Sequence, residues 1–142
     1  MITLTLPIPP TINHYYGQRP RGGRYIKPAG IAFRAAVAEI VAAAQVEPLL
    51  GRVSLFAAIY PANRRRQDID NRAKSLQDAL TAAGVWIDDE QIDELHLVRR
   101  EVVRGGQVRI IITAMKSYPD GQGEARSRLG DNRDDVVARN AE

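Results

Sequence analysis

Residues 2–6 alternate Ile2, Leu4 and Leu6 with Thr3 and Thr5, the two-residue period of a strand with one buried face. Pro7, Pro9 and Pro10 end it. Residues 11–27 hold Gly17, Gly22, Gly23, Pro20 and several arginines, with Tyr15, Tyr16 and Tyr25 interleaved, and read as a long basic loop or ribbon. Pro28 suits the first turn of a helix. That helix is expected to run to about Gln45, with Ile31, Val37, Ile40, Val41 and Ala44 on or near one stripe, before Pro48 and Gly51 stop it. Alternation returns at 52–60, where Val53, Leu55, Ala57 and Ile59 share a face. After a polar, basic loop from Pro61 to Gln67, Ala73, Leu76, Leu80 and Ala83 repeat at helical spacing. This predicts a second helix over about 71–83, closed by Gly84.

Val85-Trp86-Ile87 is a short apolar segment, with Trp86 expected in the core. Asp88 follows, and Gln91 three residues on completes the polar pattern of a capping box. Strands are expected over about 94–104 and 107–114, joined as a hairpin by Gly105-Gly106. The periodicity dissolves beyond Ser117. The sequence is therefore read as one α+β domain over residues 1–115, with a mixed or antiparallel sheet and two main helices. Residues 116–142 are read as a mobile, charged C-terminal tail.

Composition narrows the chemistry. The chain has 142 residues, enough for one core, and 44% apolar with 26% charged residues is ordinary for a globular protein. No apolar run approaches the ~18–20 residues of a membrane span, and the N-terminus lacks the basic start of a secretory signal, so a cytoplasmic location is expected. There is no cysteine, and His14 and His96 are the only histidines. Thiolate and histidine-rich metal sites are thereby excluded, leaving oxygen ligands, which suit Mg²⁺ or Mn²⁺. The formal charge is +3, and of the 20 basic residues only Lys27, Lys74 and Lys116 are not arginine. The arginine clusters at 19–24, 64–66 and 99–100 suit phosphate oxygens, although solvated surface arginines give the same composition.

The informative stretch is Asp68-Ile69-Asp70-Asn71-Arg72-Ala73-Lys74. In an extended segment Asp68 and Asp70 face the same side while Ile69 turns inward. Lys74 lies one helical turn beyond Asp70, opposite the Leu76/Leu80 stripe. Asp88 and Asp89 come about twenty residues later, and the return segment must double back to bring either near Asp68. Clustered carboxylates repel by about a few kcal/mol each at an effective dielectric near 20, so a cation is needed to offset them. Lys74 is placed to hold a phosphate oxygen, and Arg64, Arg65 and Arg66 to grip neighbouring phosphates. Read singly, Asp70 and Asp88 are also ordinary helix caps, Lys74 a surface ion-pair partner, and Glu90 and Asp93 solvated groups.

The segments Asp68–Lys74, Gln77-Asp78-Ala79-Leu80 and Gly84–Gln91 resemble the RusA family of Holliday junction resolvases. Pro7–Tyr16 looks like that family's opening motif, and the segment around Gly105-Gly106 like its end hairpin. The resemblance spans residues 1 to about 115. It implies a Mg²⁺-dependent, homodimeric endonuclease, bacterial or prophage-encoded, that resolves four-way DNA junctions by paired nicks. It selects Asp68, Asp70 and Asp89 as metal-binding catalytic carboxylates and Lys74 as the essential lysine, with Asn71 and Asp88 flanking. Asn13, Tyr15, Tyr16 and Arg72 join Arg64–Arg66 as expected DNA contacts. Gln67 interrupts the arginine run that some members carry up to the first aspartate. A non-catalytic junction-binding protein and a less selective flap or fork nuclease are the rival expectations.

Overall fold

Val53, Leu55 and Ala57 have no solvent exposure, and neither do Val108, Ile110 and Ile112. These alternating residues belong to the two central strands of the sheet. The computed structural model describes residues 1–116, so the tail expected from 116 onward lies, apart from Lys116, outside the described residues. Its strands are β1 (Ile2–Pro7), β2 (Tyr16–Gln18), β3 (Arg24–Ile26), β4 (Val53–Tyr60), β5 (Ile92–Arg99) and β6 (Gln107–Ala114). Its helices are α1 (Ile12–Tyr15), α2 (Pro28–Ala43) and α3 (Ala73–Ala82), with short 3₁₀ turns at Ile69–Arg72 and Asp89–Gln91. The main sheet has the order β1-β6-β4-β5, and β2 with β3 forms a separate two-stranded ribbon. β4 pairs antiparallel with β6 and parallel with β5, so the sheet is mixed and the domain is α+β as expected. Among the described residues no helix is long and apolar enough to cross a membrane.

The expected hairpin between the last two strands does not form. β4 lies between β5 and β6, and residues 100–106 cross its end instead. Arg100 N donates to Ile59 O at 2.8 Å, Val103 N to Pro61 O at 2.9 Å, and Gly106 N to Val103 O at 2.8 Å. Gly105-Gly106 is a turn, both residues at positive φ. A Cβ on Gly106 would come within 3.0 Å of the Ile8 side chain, so the turn also requires a close approach. Turn chemistry is local, but pairing is decided by which apolar faces meet across the sheet.

The buried stripe of α2 is Phe33, Val37 and Val41, starting from Gly30, whereas Ile31 is 58% exposed and Ala44 lies on the surface. Gly30 is needed because a Cβ there would lie 2.7 Å from the Tyr15 carbonyl. The first helical turn thus packs directly on α1. Leu76, Ala79 and Leu80 of α3, Trp86 and the inward residues of β1, β4 and β6 complete one core. Burying side chains of this size stabilises the fold by roughly 1.5–3 kcal/mol each before ordering entropy is subtracted. Trp86 is 1% exposed and donates its indole N–H to Thr81 Oγ1 at 2.7 Å, a core residue as its sequence position suggested.

Candidate active site

The basic loop leaves β4 at Pro61 and ends at Asp68, whose backbone is extended (φ −78°, ψ 139°). Ile69 packs partly buried against the core and fixes the chain there. Asp70 falls inside the 3₁₀ turn rather than in an extended segment, and it is not a side-chain cap. Asp68 and Asp70 are both exposed, and neither carboxylate has a hydrogen-bond or ion-pair partner among the described residues. Asn71 is exposed beside them.

Lys74 stands in the first turn of α3. Its ammonium does not pair with Asp70. It lies 2.6 Å from Asp89 Oδ2 and 2.9 Å from Asp78 Oδ1, one helical turn on. The other Asp78 oxygen accepts the Tyr16 hydroxyl at 2.5 Å. The Arg24 guanidinium sits 4.1 Å from the centre of the Tyr16 ring. The result is a chain from Tyr16 through Asp78 and Lys74 to Asp89, lining an open groove with Arg24 and Arg34. The hydrogen bonds it donates to Asp89 and then to Asp78 hold the Lys74 ammonium well above the ordinary lysine range. Lys74 in turn holds the Asp89 carboxyl below the usual carboxylate range, against an opposing effect of burial. Burial, followed by the Asp78 hydrogen bond, pushes the Tyr16 phenol up and keeps it a donor.

Asp88 and Asp89 divide two tasks. The Asp88 side chain accepts Glu90 N at 2.9 Å, and Gln91 Oε1 accepts the N–H groups of Ile87 and Asp88, completing the capping box. Gln91 Nε2 reaches the carbonyls of Leu49 and Gly51, both at 2.8 Å. Arg52 braces the same turn through Glu90 and through Asp93, whose side chain is only 10% exposed. Glu90 and Asp93 are therefore paired, not merely solvated. With Asp88 committed to the cap, Asp89 is the residue that meets Lys74.

Two expected DNA contacts are placed otherwise. Tyr15 has 0% exposure, and its hydroxyl finds no partner among the described residues, so it is a core aromatic. Arg72 is partly buried. Its guanidinium binds Gln67 Oε1 through Nε at 3.1 Å and through a second nitrogen at 2.5 Å, and it also donates to the Pro9 carbonyl. It clamps the loop to the chain after β1. Asn13 is exposed, with its carbonyl taken by Lys27 Nζ at 2.8 Å. Arg64, Arg65 and Arg66 are exposed. Reading the sequence missed Asp78. Its signal is the i+4 spacing from Lys74, which any surface ion pair on a helix shares.

Among the described residues no three carboxylate or imidazole side chains stand close enough together to hold a metal ion. The donors themselves are hard oxygens of the kind Mg²⁺ prefers, two of them without a partner and the third neutralised by Lys74.

The family model described as Endodeoxyribonuclease RusA matches residues 7–115. The chain is 38% identical over 114 residues to the crossover junction endodeoxyribonuclease RusA of Escherichia coli strain K12, covering 80% of this chain and 94% of that protein. It is also 38% identical over 113 residues to the protein of the same name from Enterobacteria phage 82, covering 79% and 93%. The relative from Shigella sonnei strain Ss046 matches at 38% over 114 residues.

Proposed function

The chain belongs to the RusA family of endodeoxyribonucleases, and on that footing we propose that it resolves four-way DNA junctions by paired symmetric nicks. The observation that carries the reading is the Lys74–Asp89 contact at 2.6 Å, made across about fifteen residues, in a chain whose Asp68 and Asp70 are exposed and without partners among the described residues. Asp68, Asp70 and Asp89 are the proposed holders of Mg²⁺, with Mn²⁺ as a substitute. Bound there, the ion supplies a water of lowered pKa and offsets charge on the scissile phosphate. Lys74 is then the cation for a non-bridging phosphate oxygen, while Asp78 keeps its ammonium in place. Asp88 caps the turn that carries Asp89, and Asn71 flanks Asp70 at the surface.

Cutting a junction twice at symmetric positions calls for two sites, and a two-fold homodimer presents them. The relatives come from bacteria and a phage, which supports a cytoplasmic enzyme encoded by a bacterium or prophage.

The test compares four-way junction, flap and linear duplex as substrates with Mg²⁺, Mn²⁺ or EDTA. Junction cleavage at paired positions, dependent on metal and abolished in Asp70→Asn with binding retained, is the expected result. Equal cutting of flaps makes the enzyme a less selective nuclease. Wild-type cutting by Asp70→Asn removes the assigned site.

A further inference from the structure

Residues 100–103 are hydrogen-bonded to Ile59 and Pro61, the stretch of backbone from which the arginine loop departs. Loop and crossover therefore stand side by side at one end of the sheet. Between them lies a cleft of about 280 Å³ with Arg64, Arg65 and Arg66 along one wall and Arg99 and Arg100 along the other. Asp68 and Glu101 are its acids, and the six arginines that line it, Arg72 included, outnumber them.

The two walls are tied at a fixed separation. Arg99 donates to the Gln67 carbonyl at 2.6 Å, while the Gln67 side chain holds Arg72. Arg99 keeps further N–H donors beyond that one bond. Arg100 is exposed, and its side chain makes no hydrogen bond or ion pair among the described residues. A pair of guanidinium walls about an apolar lining that includes Ile59 and Val102 matches a phosphodiester backbone: planar forks meet phosphate oxygens and the lining meets sugar. Asp68 lines the same cleft, so a strand held there passes one of the proposed metal-holding carboxylates.

We propose that the crossover after β5 is a second DNA-gripping wall, with Arg99 and Arg100 binding the backbone of a junction arm opposite Arg64–Arg66. This rests on the junction-nuclease reading and extends it to residues outside the acidic segment.

The test measures binding of a fluorescent four-way junction in EDTA over a series of salt concentrations. The proteins are wild type, Arg100→Gln, Arg99→Gln/Arg100→Gln and Arg100→Lys. Lys116→Gln serves as control, since Lys116 follows Met115, whose N–H bonds Arg52 at the opposite end of β4. Affinity should fall by about tenfold in the double variant, and the slope of log K against log[salt] should shrink by about one per arginine removed. Arg100→Lys should keep most of the slope, and Lys116→Gln should stay within about twofold of wild type. Unchanged binding and slope in the double variant, while wild type still binds and cuts junctions, overturns the wall alone. A wild type that neither binds nor cuts junctions overturns the junction reading with it. Polyglutamate of matched charge displacing the junction at equal concentration shows a general anion surface and also overturns the proposal.

Discussion

The Lys74 ammonium and the Asp89 carboxylate meet at 2.6 Å, joining the start of α3 to the turn that follows its return. Asp89 stays ionised below its ordinary range and Lys74 stays protonated above its own. A lowered acid loses its contribution only as pH falls through the folded value, and a raised base only as pH rises through its folded value. The pair is therefore intact between about pH 5 and pH 10. Lys74→Met should leave junction affinity within a few-fold and cut the single-turnover cleavage rate by roughly 10²–10³. Collapse of binding instead would make Lys74 a docking residue.

Asp78 accepts from Lys74 and Tyr16 on separate oxygens. Asp78→Asn should lower kcat by about tenfold at nearly constant KM, and Tyr16→Phe by less, since it removes one neutral donor. The discriminating measurement is a double-mutant cycle. In a Lys74→Met background, Asp78→Asn should add no further loss if it acts through the lysine.

Burial pushes the Tyr15 phenol up to about 12, with the nearby Arg34 acting in the opposite direction. An unfolded tyrosine ionises near 10, so above that pH the unfolded chain holds fewer protons than the native one. Stability then falls between about pH 10 and 12, by on the order of 2 kcal/mol. Tyr15→Phe should abolish that part of the alkaline loss in urea titrations. At neutral pH it should be neutral or stabilising by about 1 kcal/mol, because the lost hydroxyl is buried without a partner.

Gln91 serves four backbone groups, holding the Asp88–Asp89 turn to the segment before β4. Gln91→Ala should cost about 3 kcal/mol, and Gln91→Glu nearly as much, since a carboxylate cannot donate to the carbonyls of Leu49 and Gly51. Asp88→Ala, which removes only the cap, should cost about 1 kcal/mol. Chemical denaturation orders the three. An Asp88→Ala loss as large as that of Gln91→Ala would mean the turn depends on the cap alone.

Much of the architecture was legible because burial has a period. Leu4 and Leu6, Val53 to Ile59, and Leu76 with Leu80 alternate or repeat as the strands and helix that hold them require. The Asp88/Gln91 cap was readable for the same reason, since it is closed within four residues. What failed depends on residues far apart. Gly105-Gly106 carries turn chemistry without saying that β4 separates the flanking strands. Phe33 faces the core in place of Ile31 because α1 sits under Gly30. Tyr15 looks like a partner for bases until its ring is seen among core side chains. Within the site, the exposure of Asp68 and Asp70 was legible, but the convergence of Asp89 and Asp78 on one ammonium was not. It requires the path of the chain after α3.

The placement of β6 between β1 and β4 also sets an order of assembly. β1, at the beginning of the chain, pairs with β6 alone, across a separation of more than a hundred residues. While the polypeptide is being synthesised, β1 has no ladder to join until residues 107–114 have emerged. Its apolar residues Leu4 and Leu6 wait exposed or in temporary contacts. A chain interrupted between Arg99 and Gln107 therefore loses both of the pairings that β6 makes at once. It leaves β4 half-paired and β1 unattached, so the fold tolerates truncation far less at that strand than its position late in the domain suggests.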